Sequence, residues 1–336
     1  FSLLTNLETV HPGTKALSSS APLERQMTDA VVAIGGNAIL RRGEAATVEN
    51  QMNNLRRTCV PLARMVSRGW GLTLVHGNGP QVGNILLQNE LARDEVPAMP
   101  LDVCVAQSQG QMGFMLQQAM TEALHHEGID RSVVCLITRV TVDPGDPEFR
   151  MPSKPIGPYY DKAEAERLML QGYRMREDVA RNGWRRIVPS PRPLAVLEKD
   201  AVRALTTGGH VVIAAGGGGI PMVERDGRLW GVEAVVDKDL AAYAIAKDAG
   251  DLMVFLTDVD AAFLDHGGPA QRAIGEITAE EMSRHLDEGN FHSGSMGPKV
   301  EAAIAFVDSP RKTAIITSPE LLDKALESKA GTRIVF

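Results

Sequence analysis

The feature that most constrains this chain is a repeated event: an apolar run, a glycine-rich turn, then a helical stretch. Val31-Val32-Ala33-Ile34 runs into Gly35-Gly36-Asn37, and a helical segment follows from about Thr47 to Ser67, stopping at Gly69. Leu72-Thr73-Leu74-Val75-His76 ends in Gly77-Asn78-Gly79-Pro80, and proline is well tolerated at a helix's first position. His210 to Ala215 ends in four glycines, Gly216 to Gly219. Continuous apolar strands separated by helices predict an α/β chain with a mainly parallel sheet covered on both faces. Ligands of such sheets bind beyond the carboxyl ends of the strands, where glycines admit the backbone and free helix amides favour anions. One glycine turn reads equally well as a tight connection needing positive φ. Three at the strand ends of one sheet favour a shared phosphorylated ligand.

The remaining chain fits this rhythm except in its middle. A long helical stretch is expected from Asp102 to His126 and a third strand from Val133 to Val140. Strand Leu252 to Thr257 ends at Asp258, and strand Thr313 to Thr317 precedes a last helix. Between Asp143 and Pro193 lie eight prolines, the pair Tyr159-Tyr160 and a charged helical piece from Lys162 to Gln171. This segment, 143–193, reads as a small subdomain projecting from the sheet. Residues 1–28 lack apolar periodicity and carry Ser-Ser-Ser-Ala-Pro, so they read as an extension outside the fold. A transit peptide is the other reading, opposed by the single arginine Arg25 and by Glu8 and Glu24.

A net charge of −7 leaves no basic surplus for a nucleic-acid backbone. Cys59, Cys104 and Cys135 are odd in number and each sits in an apolar run. They read as buried, reduced thiols, which implies a reducing and hence cytoplasmic setting. No apolar run of about 18 residues is present to span a membrane.

Several motifs restrict the chemistry. Gly77-Asn78-Gly79-Pro80-Gln81-Val82-Gly83 resembles a dinucleotide fingerprint with one extra residue, but lacks the acidic residue about twenty positions on. The P-loop pattern GxxxxGK[ST] is absent, so a kinase here would be of another kind. Lys154, Lys238 and Lys299 stand near glycines or prolines. Each alone reads as a solvated charge, yet phosphoryl transfer needs charge neutralisation more than covalent chemistry. Asp237 and Asp239 flank Lys238 and could orient lysines or hold magnesium; Asp237 could equally be a helix N-cap. His76 reads as a core histidine rather than a general base, and Met112, Met115 and Met120 as core.

On these residues the chain resembles the carbamate kinases of the amino-acid kinase family over residues 30–336. The segments that carry the likeness include AIGGNAIL (33–40), HGNGPQVGNILLQNE (76–90), KPIGPYY (154–160), GWRRIVPSPRP (183–193), GVEAVVDKDLA (231–241), GSMGPKVEAA (294–303) and GTRIV (331–335). The resemblance implies a doubly wound α/β/α sandwich and a homodimer. Residues 29–200 would bind carbamoyl phosphate, and 201–336 would bind ADP or ATP with Mg2+. Gly35, Gly36, Asn37, Gly77, Asn78 and Gly79 would hold the carbamoyl phosphate end. Lys154, Lys238 and Lys299 would serve the transferred phosphoryl group, with Asp239 organising the lysines. Gly216, Gly217, Gly218, Asp258, Met296 and Gly297 would line the nucleotide side, with magnesium held mainly by the nucleotide phosphates.

Related kinases place a lysine just before the first glycine turn, where this chain has Ala33 and Ile34. Lys154 would then supply that charge. Val105, Gln107, the stretch Glu177 to Gly183 and the pair His292-Ser293 also depart from the family pattern. The implied reaction is phosphoryl transfer from carbamoyl phosphate to ADP, with the source of carbamoyl phosphate, such as arginine catabolism, left open. A related small-acid kinase, a catalytically silent carbamoyl-phosphate sensor and, more remotely, a nicotinamide dehydrogenase are the alternatives.

Overall fold

The computed structural model describes residues 28–336 apart from 42, 180–182, 249 and 292–295. The expected extension therefore lies outside the described residues save for Thr28, as does the His292-Ser293 departure. β1 (Asp29–Ile34) passes through the short α1 (Gly36–Ile39) into α2 (Val48–Ser67), whose first turn is capped by the Thr47 hydroxyl accepting from the Asn50 amide. β2 (Gly71–His76) leads into α3 (Gly79–Leu91) and the long α4 (Leu101–His126). β3 (Val133–Cys135) and β4 (Arg139–Val142) follow. The middle segment forms β5 (Lys154–Tyr160), α5 (Lys162–Leu170), β6 (Met175–Asp178) and β7 (Gly183–Val188). β8 (Pro193–Val196), α6 (Lys199–Thr207) and β9 (Val211–Ile213) return the chain to the sheet, before the hairpin β10 (Ile220–Arg225) and β11 (Arg228–Gly231). The last part comprises α7 (Lys238–Ala246), β12 (Leu252–Leu256), β13 (Phe263–Leu264), β14 (Arg272–Ala273), β15 (Glu276–Thr278) and α8 (Ala279–Asp287). α9 (Met296–Phe306), β16 (Thr313–Thr317), α10 (Leu322–Leu326) and β17 (Thr332–Val335) complete it.

The central sheet has eight strands in the order β15-β17-β16-β12-β1-β2-β9-β3. Every pairing is parallel except β16 with β17, so the two strands at that edge run against the other six. Strands of this kind are apolar on both faces because both faces are covered. β1 shows how: Val31 and Ala33 enter one core with α7 and α9, whereas Ala30, Val32 and Ile34 enter another with α2 and α4. The fold is therefore a doubly wound α/β/α sandwich. Met112, Met115 and Met120 lie in the α2–α4 core, as their spacing implied.

The expected strand Val133 to Val140 is broken. β3 stays in the central sheet, while β4 joins β8, β10 and β11 in a separate four-stranded sheet. The break is held by the buried Gln109 of α4. Its Oε1 accepts from the Thr138 amide (2.8 Å), and its Nε2 donates to the Thr138 and Gly216 carbonyls (3.0 Å each). The strand β17 after the last helix was not anticipated. In the middle segment β5, β7 and β6 make a three-stranded antiparallel sheet of their own. A third apolar cluster, including Val82, Val105, Ile156 and Val188, joins this sheet to α3 and α4. No helix among the described residues is long and apolar enough to cross a membrane.

Phe255 of β12 has no exposed surface and sits in the α7–α9 core. Phe255→Ala should lower the unfolding free energy by about 3–5 kcal/mol in urea titrations. Leu91→Ala, at a position 78% exposed, should change it by no more than about 0.5 kcal/mol.

Candidate active site

β1 lies between β2 and β12: the sheet first grows from β1 through β2 in one direction, and its later strands add from β12 in the other. That is the switch point at which open α/β sheets hold their ligands. A cavity of about 340 Å3 opens there, over the carboxyl ends of these strands. Gly35 and Gly36 border it from β1, Gly77, Asn78 and Gly79 from β2, and Thr257 and Asp258 from β12. α3 and α7 begin at its wall, so unpaired amides of two helix starts add partial positive charge.

The turn after β9 is the most constrained of the glycine turns. Ala215 has φ +47°, and Gly217, Gly218 and Gly219 have φ +65°, +92° and +85°. A methyl group on Gly217 would overlap the side-chain amide of Asn78, and one on Gly218 the carbonyl of Val236. Asn78 is buried and donates from Nδ2 to the Ser108 hydroxyl at 2.7 Å. The second and third glycine turns are thus locked together beneath the cavity.

Three lysines enter the cavity from three different elements. Lys154 opens β5 in the middle-segment sheet and reaches Asp237 at 2.6 Å. Lys238 begins α7 and Lys299 lies in α9; their ammonium groups share the buried carboxylate of Asp239 at 2.8 and 3.2 Å. Asp237 also caps α7 by accepting from the Asp239 amide at 2.9 Å. The N-cap reading and the lysine-orienting reading of this aspartate are both correct.

Burial opposes the charge of every member of this group, and the ion pairs decide the balance. Burial works against ionised Asp237, but Lys154 and Lys238 hold its carboxyl well below the usual carboxylate range. Burial also works against Lys299, yet Asp239 and Asp237 keep its pKa above the ordinary lysine value. Lys238 goes the other way: burial lowers its pKa, Asp239 opposes the fall, and neighbouring Lys299 adds to it. His76 is buried, and its Nδ1 lies 2.9 Å from the Gly77 carbonyl. A carbonyl only accepts, so Nδ1 carries the proton, and burial keeps the ring neutral. It is a core histidine.

The structure brings together eleven of the sixteen residues singled out from the sequence: Lys154, Lys238, Lys299, Asp239, Gly35, Gly36, Gly77, Asn78, Gly79, Gly217 and Asp258 all line the one cavity. Asn37 follows Gly36 in α1. Gly216 and Gly218 pack beneath, against His76 and Val236. Met296 lies in an adjoining cavity of about 150 Å3 with Phe263 and Phe291, which shares Thr257 and Asp258 with the first. Gly297 is buried one residue further along α9. Three of the polar or charged lining residues were not singled out as site residues: Asp237 as the partner of Lys154, Thr257, and Arg185 of β7. Only the period-two alternation of Arg185-Arg186 in a strand signals the last of these.

The amino acid kinase family model matches residues 30–318. Carbamate kinases from Pyrococcus horikoshii and Trichomonas vaginalis are 44% and 46% identical to the chain over 308 and 310 residues, covering 90% and 91% of it and 98% of each relative. The structure of carbamate kinase from Giardia lamblia bound to AMP-PNP matches with a TM-score of 0.86 at 40% identity, over 92% of this chain and 99% of that one. N-acetylglutamate synthase from Neisseria gonorrhoeae, at 17% identity and a TM-score of 0.53 over 94% of this chain and 63% of that one, shares the fold. Fold and site define a phosphotransferase of the amino acid kinase family. Within that family the chain belongs to the carbamate kinases.

Asp239 is 3% exposed and is the carboxylate that two buried ammonium groups share, so removing its charge takes that counter-charge from both. Asp239→Asn should cost about 3–5 kcal/mol of stability, read as a lowered urea midpoint with an unchanged m-value.

Proposed function

We propose that the chain catalyses reversible transfer of a phosphoryl group between carbamoyl phosphate and ADP, chiefly in the direction that makes ATP. The bond from phosphorus to the carbamate oxygen breaks, and one to the terminal ADP oxygen forms. The carbamate released decomposes to ammonia and carbon dioxide. The observation that carries this reading is the meeting of Lys154, Lys238 and Lys299 in one cavity walled by glycine turns.

Carbamoyl phosphate sits against Gly35, Gly36, Asn37, Gly77, Asn78 and Gly79 in the half formed by residues 29–200. The nucleotide lies on the side of residues 201–336, its phosphates near Gly216, Gly217, Gly218 and Asp258, and its base between Phe263, Phe291 and Met296, beside Gly297. The transferring group bears negative charge on its equatorial oxygens, and the three ammonium groups stabilise that charge more than they stabilise the separated reactants. Asp239 keeps two of them at a fixed separation. Asp237 and Asp239 commit oxygens to lysines and a helix amide, so the donor set fits Mg2+ carried mainly by the nucleotide phosphates. Bound so, the ion would neutralise phosphate charge.

The protein acts as a homodimer, a reading supported by the outward face of α4, where Val103 and Phe114 are exposed, and by Trp230 of β11. Gly231, next to Trp230, abuts Asp102 of that helix, which joins the two surfaces. Phe114→Glu should convert a sedimenting dimer to monomer. A cytoplasmic setting is supported by the three cysteines, all of them free.

A coupled assay for ATP formed from ADP, magnesium and carbamoyl phosphate tests the reaction. A chain that binds carbamoyl phosphate without turnover would be a sensor instead. Lys154→Met, Lys238→Met and Lys299→Met should each lose at least about a hundredfold in kcat. Since burial lowers the pKa of Lys238, its charge is lost earlier as pH rises than that of an ordinary lysine. The alkaline limb of kcat/KM should therefore fall below pH 10.5, the ordinary lysine value, in a pH–rate series.

A further inference from the structure

The middle-segment sheet brings a second kind of cation to the same cavity. Arg185 and Arg186 are consecutive in β7, so their side chains leave opposite faces of the sheet. Arg186 is committed to the fold: its Nη1 lies 3.0 Å from Glu90, and its guanidinium stacks 4.2 Å from the Tyr173 ring centroid. Arg185 borders the cavity beside Lys154, facing the glycine turns. Its Nη2 donates to the Gly157 carbonyl at 2.9 Å, and its guanidinium lies 5.3 Å from the Tyr159 ring centroid. A guanidinium carries five N–H donors in a rigid planar fork, and the Gly157 carbonyl takes one of them.

A second observation is electrostatic. Arg176 of β6 stands directly opposite Arg185 in the antiparallel register. Like charges so placed destabilise a sheet unless something negative comes between them. Both arginines border a further cavity under the sheet, which shares Lys154 and Asp237 with the first.

The position of Arg185 depends on a contact between backbones. Gly157 rests on Gly83 of α3 so closely that a methyl group on Gly83 would overlap the Gly157 Cα. The carbonyl that orients Arg185 is therefore seated on the helix that starts at the second glycine turn.

We infer that Arg185 contacts the small substrate itself, its planar fork binding the anionic end of carbamoyl phosphate and setting affinity for that substrate rather than for the nucleotide. This rests on the reaction proposed above. Lysine ammonium groups act as point charges on a phosphoryl group, whereas a guanidinium matches the paired oxygens of a phosphate or carboxylate edge.

Steady-state kinetics of ATP formation, with carbamoyl phosphate and ADP varied separately, test the assignment. Arg185→Gln should raise KM for carbamoyl phosphate by about ten- to a hundredfold, as expected for loss of a charged hydrogen bond, while KM for ADP stays within about twofold. Arg185→Lys, which keeps charge but not the fork, should fall between parent and Arg185→Gln. Gly83→Ala keeps every charge but pushes the Gly157 backbone off its seat, and should raise the same KM severalfold. An Arg185→Gln enzyme with the parental KM for carbamoyl phosphate, or with both KM values raised equally, overturns the assignment. If that variant does not fold, Arg185→Lys and Gly83→Ala are judged by the same two KM values. A parent chain that makes no ATP overturns the reaction, whereas an active parent indifferent to Arg185 overturns only the role of the arginine.

Discussion

Two lysine ammonium groups share one buried aspartate, and the arrangement of the site follows from that pairing. Lys238 and Lys299 are 12% and 7% exposed, and each would be costly to bury alone. Asp239 makes the pair tolerable and leaves a net positive charge. Lys154 approaches on the same terms, its charge matched by Asp237. These ion pairs tie α7 to α9 and to the middle-segment sheet, so the elements that define the cavity are held by the groups that would meet the ligand. Buried pairs of this kind contribute little net stability, because desolvation offsets much of the attraction. Their presence fits a task beyond stability, which is to keep the cations positioned for an anionic ligand.

Much of this was legible in the sequence. Strands buried on both faces carry few polar side chains along their length, so chemistry is pushed to their carboxyl ends, where Gly35, Gly77 and Gly217 mark it. Asp-Lys-Asp at 237–239 was recognisable as an orienting group because it is local. What escaped reading was non-local. Lys154 and Asp237 are 83 positions apart, and nothing in either segment announces the other. The split of the expected strand Val133 to Val140 is imposed by Gln109, a side chain from a different element. β17 is four residues long and sits between β15 and β16, so its existence depends on partners rather than on its own pattern. Arg185 drew no reading of its own from the sequence, and only the placement of β7 sets it against the cavity.

The order of strands in the sheet has a consequence for how the molecule comes into being. β1 pairs with β12, bringing Ala30 beside Leu252, and among the described residues β15 pairs with no strand except β17. Closing loops of such length delays the contacts that complete the sheet. A nascent chain that has exposed only β1 and β2 to solvent owns two glycine turns but neither Asp239 nor Lys299. It therefore has no competent cradle, and cellular phosphates have nothing to stabilise. Once β12 and α9 have docked, both banks exist, and an anion bound between them would favour the finished molecule over earlier intermediates. A ligand held between the two banks would therefore stabilise only chains whose two distant halves have met correctly.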